Sequence, residues 1–165
     1  MQVKPDKRYR WIIALVFLIM TVAGLLVTRD YGMPWDELTE IRTLGTNVRE
    51  YVALVKGADA KPAQSSTGIE FPDVSKNVDI DHGQSVYYLF SPALFFQYGD
   101  GGARTLMLLW HGYTFLIFMA GVFAIYCIAS YLAKDWRYGL AASLLLYLSP
   151  RFFAESHYNN KDIMT

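Results

Sequence analysis

The run WIIALVFLIMTVAGLLVT, residues 11–28, carries no charged side chain. As a helix rising 1.5 Å per residue it is roughly 27 Å long, close to the ~30 Å hydrocarbon core of a bilayer. It is either a membrane span or a secretory leader, and the choice decides the fold. Lys4, Lys7, Arg8 and Arg10 precede it, as they would in a leader. The run is longer than the roughly 7–15 apolar residues of a leader's hydrophobic region, and no small-x-small cleavage site follows. The sequence therefore predicts an uncleaved signal anchor.

Toward the C-terminus the run hands over to VTRDYGMPWDELTE, residues 27–40, where Asp30, Asp36 and Glu37 surround a Pro-Trp turn. Carboxylates there sit at the edge of whatever buries the apolar run. Two further apolar runs follow: residues 105–133, long enough to span with tilt, and residues 138–154, shorter and broken near Pro150. A buried core helix is the alternative for the third. The composition agrees with this pattern. Hydrophobic residues make up 53% of the 165 and charged residues 18%, below the roughly 25% of soluble domains. The net charge is zero, which gives nucleic acid no electrostatic footprint. A single cysteine, Cys127, excludes an internal disulfide and a Cys-rich metal site, and reads as a small buried hydrophobe. The expected fold is an all-α membrane protein with three transmembrane helices and a large outer loop, residues 29–104, carrying a juxtamembrane amphipathic helix.

Basic residues fix the expected orientation. Four precede the first span, and Lys134 and Arg137 lie in the short link AKDWR between the second and third. The positive-inside rule puts both places in the cytoplasm. Loop 29–104 and the segment after Pro150 are then periplasmic or extracellular, and the chain is a multi-pass protein of the inner (plasma) membrane. In the loop, Leu38, Ile41, Leu44, Val48, Tyr51, Val52 and Val55 recur at helical spacing, with Gly57 as a stop. Residues 58–83 read as loop, and the aromatic run 85–99 as a re-entrant or interfacial segment.

No phosphate-binding glycine loop, nucleophile elbow or His-Glu-x-x-His helix is present. The candidate chemistry lies in three groups at the outer face. Asp36 and Glu37 are one; a plain helix cap is the alternative reading. The second is PRFFAESHYNNKDIMT, with Arg151, Glu155, His157, Asn159, Asn160, Lys161 and Asp162, which could otherwise be a wet loop. The third is His111 inside the second span, with Arg104 at its edge; a neutral histidine bonded between helices is the alternative. With this orientation, carboxylates from two loops can meet at one cleft. A carboxylate can serve as general base, and a cation can steady a leaving phosphate. That chemistry suits a lipid-linked, phosphate-activated substrate.

The run LSPRFFAESHYNNKDIMT, with the apolar stretch from Arg104 that precedes it, resembles bacterial membrane glycosyltransferases of the C-type superfamily. Their branch includes the dolichyl-phosphate-mannose protein mannosyltransferases and the lipid A aminoarabinose transferases. The family pattern S-P-R-F-F-x-x-S-x-x-N-x-K-D falls on Ser149, Pro150, Arg151, Phe152, Phe153, Ser156, Asn159, Lys161 and Asp162, and an acidic pair in the first outer loop falls on Asp36 and Glu37. The resemblance implies an inverting transferase using a polyprenyl-phosphate sugar donor and a lipid, glycan or protein acceptor. By resemblance Asp36 is the base and Glu37 supports it, while Asp162 shapes the other half of the site or helps hold a divalent cation such as Mg or Mn. Arg104, His111, Arg151 and Lys161 are candidate phosphate partners by charge, and His157 and Asn159 complete the substrate-binding set. Family members are much longer and have many spans. The expectation is therefore an N-terminal portion, inactive alone. The competing readings are a non-enzymatic three-span interaction or assembly protein, and half of a transporter. Carboxylates outside the spans count against the transporter.

Overall fold

The computed structural model describes residues 5–35, 37–57, 74–76, 89–91, 102–159 and 163. Among them the chain is all-helical: α1 Lys7–Val27, α2 Glu37–Lys56, α3 Gly102–Ala133, α4 Trp136–Tyr147 and α5 Pro150–Tyr158, with 3₁₀ turns at Thr28–Asp30 and Val74–Lys76. They fall into two units, one of Met1–Gly32 with His111–Thr165 and the other of Met33–Trp110.

Two helices are long and apolar enough to cross a membrane, Lys7–Asp30 and Arg104–Ala133, and only 22% of each apolar window is buried inside the protein. Leu15, Leu18, Ile19 and Leu26 of α1, and Phe123, Ile128, Tyr131 and Leu132 of α3, are exposed. The core of the first unit is the cluster Met20, Phe115, Phe118, Met119, Val122 and Tyr147, with Phe153 and Ile163 packed against it. Glycines let its helices approach closely. A methyl group at Gly24 would run into the Phe115 ring, and one at Gly139 into Ser130 and the Tyr126 carbonyl. Small residues serve helix packing in this way where no hydrophobic drive separates protein from lipid.

The link from α3 to α4 is a tight hairpin. Lys134 takes a positive φ of 59°, and the Asp135 side chain accepts from the Arg137 N–H at 3.0 Å to cap α4. The third apolar run, expected as a short span over 138–154 broken near Pro150, is two helices. Pro150 has no N–H to donate back to Leu146, so the helix stops at Tyr147 and restarts at Pro150 with Ser149 as N-cap. Its first piece has 12 residues, about 18 Å and short of a bilayer core. The two pieces together follow α1. Trp136 rings against Tyr9 at 5.3 Å, the Tyr147 hydroxyl donates to the Met20 carbonyl at 2.8 Å, and His157 meets Thr28.

In the second unit α2 ends where expected, with Gly57 at φ +95° and its N–H on the Ala53 carbonyl. The apolar stripe does not hold along its length. The first half buries polar residues with the apolar ones (Glu37, Glu40, Thr43 and Thr46 beside Ile41 and Leu44), whereas Tyr51, Leu54 and Val55 in the second half are exposed. Cys127 is exposed on the flank of α3 rather than buried. The predicted loop 58–83, apart from the turn at Val74–Lys76, and the predicted re-entrant run, apart from residues 89–91, lie outside the described residues.

Candidate functional site

Where α1 stops, the first unit encloses polar side chains. Thr28 closes α1 and turns its hydroxyl onto the Gly24 carbonyl at 3.1 Å. The same oxygen lies 3.3 Å from His157 Nδ1 on α5. The hydroxyl has one hydrogen to give, and the Gly24 carbonyl already accepts the Thr28 N–H. Where that hydrogen goes to Gly24, Nδ1–H donates to Thr28 and the lone pair sits on Nε2; where it goes to Nδ1, the ring hydrogen is on Nε2. That Nε2 is buried and has no partner among the described residues.

Aromatic rings hold the imidazole in place. Phe115 stacks on one face at 4.8 Å and 0°, and Tyr31 stacks at 4.4 Å and 19°. Phe153, one helical turn before His157, meets it edge-on at 5.1 Å and 75°. His157 is fully buried and His111 is 2% exposed. Burial first, and then the neighbouring His111, hold the His157 imidazole down at about 4, so it is neutral at physiological pH. Burial, then the neighbouring Tyr158, raise the Tyr31 phenol above its ordinary value, which keeps it neutral too. The arrangement is a fixed, uncharged imidazole in an aromatic sleeve, with one buried nitrogen left to a ligand. A base this weak positions a hydroxyl better than it deprotonates one.

The predicted site residues distribute unevenly. His111 and His157 come together in the first unit. Asn159 caps the end of α5, half-buried, with its N–H on the Glu155 carbonyl at 2.7 Å. Arg151 points outward and pairs with Glu155 at 2.9 Å. In the second unit, Glu37 begins α2 and is buried, and Arg104 in the first turn of α3 is exposed. Glu37 thus stands in the first turn of α2, where the plain helix-cap reading puts it, and is buried there. Asp36, Lys161 and Asp162 lie outside the described residues, and with them the expected meeting of the two acidic sites. Among the described residues no three His, Cys, Asp or Glu side chains gather to hold a metal.

Sequence reasoning passed over Thr28, Tyr31 and Phe115. The usable signal was the i, i+4 spacing of Phe153 and His157, which puts both on one face of a helix. Comparison with family models, curated proteins and solved structures finds no match to this chain.

Proposed function

We propose that this chain carries the membrane-embedded part of an inverting glycosyltransferase, which moves a sugar from a polyprenyl-phosphate donor to a lipid, glycan or protein acceptor at the outer face of the inner membrane. The observation that carries the reading is the buried polar group of Thr28, His111 and His157 at the end of helices whose flanks are apolar and exposed. A substrate with a hydrocarbon tail and a phosphate-sugar head needs that sequence of environments. Three crossings fit it: α1, α3 and the broken helix of residues 138–154, with His157 just beyond the last. Basic residues at the opposite ends put these ends in the cytoplasm.

In this reading Asp36 takes the acceptor proton, Glu37 supports it, and Asp162 completes the second acidic site or helps hold Mg or Mn. Arg104 and Lys161 face the donor phosphate. Arg151 reaches it by leaving Glu155, while Asn159 and the neutral His157 orient hydroxyl groups. The test is transfer of labelled sugar from its polyprenyl phosphate in membranes holding the full-length protein. Asp36→Asn lowers the rate on the order of 10²–10⁴-fold with integration unchanged. An unaltered rate would remove Asp36 as base. Absence of transfer by the unsubstituted protein would favour the non-enzymatic assembly protein.

A further inference from the structure

Away from the polar end, a groove of about 440 Å³ runs between α1 and α3, within the roughly 300–1,000 Å³ of small-molecule sites. Its lining is largely apolar, with a charge at one end only; the Thr21 hydroxyl at the other is turned onto the Phe17 carbonyl. Ala14 and Ala120 give it depth. Phe17, set edge-on against Phe123 at 5.6 Å and Tyr126 at 5.7 Å, forms a wall. Arg10 and Pro5 stand at the end near the start of α1, and Thr21 and Met119 lie at the other. The Arg10 Nε donates to the Pro5 carbonyl at 3.1 Å, which fixes the guanidinium. Its two terminal nitrogens have no partner among the described residues.

Length and charge together identify the occupant. From Arg10 to Thr21 is about 16 Å along the helix, close to half of a ~30 Å hydrocarbon core. The groove is therefore one leaflet deep, and its charged end lies at that leaflet's surface. Tyr9 against Trp136, and Arg137 over the Trp136 ring at 5.7 Å, mark the same level as an aromatic interfacial belt. A guanidinium with two free donors matches two oxygens of a phosphate. A zwitterionic headgroup brings its own ammonium to that phosphate, whereas an anionic one leaves the charge to Arg10 and to Lys7 and Arg8 within a turn of it.

We infer that this groove is a binding site for one anionic phospholipid of the cytoplasmic leaflet, with an acyl chain between α1 and α3 and the phosphate on Arg10. The inference rests on the membrane placement proposed above and is independent of the transferase chemistry. Its test is native mass spectrometry of the full chain, released from micelles doped with phosphatidylglycerol or phosphatidylcholine. Flotation of the same protein with membranes serves as a separate control. One phosphatidylglycerol is retained about tenfold better than phosphatidylcholine, as a charge-assisted pair requires. Arg10→Gln brings the two lipids level, and Ala120→Phe, which fills the groove, removes both; both variants still float. Flotation with equal retention of the two lipids by the unsubstituted protein overturns the site alone. Failure to float overturns the membrane placement and the site with it. Disulfide-linked dimers of Ala14→Cys in a Cys127→Ser background would put a second copy in the groove and overturn the lipid.

Discussion

The flanks of α1 and α3 and the polar group where α1 ends invert the usual distribution of side chains. On the flanks, Leu18, Ile19, Phe123 and Ile128 face outward; at the end, Thr28, His111 and His157 are enclosed. Water drives the opposite arrangement, because exposed apolar area is costly and buried polar groups need partners. The difference teaches which solvent each region was built for. The flanks suit hydrocarbon. The end suits a place where hydrocarbon gives way and polar groups must be enclosed by the protein itself.

The contrast can be broken from the flank. Ile19→Asp leaves every contact of the enclosed group in place, and in a water-soluble helix it would be nearly neutral. In a bilayer it costs about 3 kcal/mol at the middle of the span, so the fraction of protein that integrates should fall more than tenfold in a membrane-insertion assay. Equal integration would return α1 to water.

The enclosed end carries a pH dependence of similar size. His157 sits at about 4 in the folded chain and near 6.5 when unfolded, so the folded state takes up its proton later. Stability is full above pH 6.5 and falls as pH drops toward 4, by about 3 kcal/mol for the fully buried ring. Thermal unfolding in micelles across that range measures it, and His157→Phe should flatten the profile. A profile unchanged by that substitution would mean the imidazole is not held neutral.

Two changes sharpen the boundary between the regions. Gly24→Ala drives a methyl group into the Phe115 ring, which itself stacks on His157. It should cost about 2 kcal/mol by overpacking and weaken the imidazole sleeve, read as a lower unfolding midpoint. Tyr147→Phe removes one hydrogen bond to the Met20 carbonyl and should cost about 1 kcal/mol. A loss well above that would mean the bond joining α4 to α1 also sets the height of α5.

The apolar runs were legible because charge-free length is a strong signal, and Gly57 marked the end of α2 by its positive φ. Pro150 announced a break, but not that a helix would resume at once and bring His157 to Thr28. Periodicity placed α2 but not its whole buried face, because its first half buries glutamates and threonines alongside Ile41 and Leu44, which no hydrophobic pattern reports. For the same reason the sequence offered His157 only as one of a cluster of polar side chains, not as a buried one. Its burial is made by Tyr31 and Phe115, far away in sequence, and only packing brings them together.

The account stands most directly on sidedness. Asp36→Cys and Asp162→Cys, each in a Cys127→Ser background, can be exposed in intact cells to a membrane-impermeant maleimide. The account predicts that both positions react from outside. Labelling of one from outside and of the other only after the membrane is opened would contradict it.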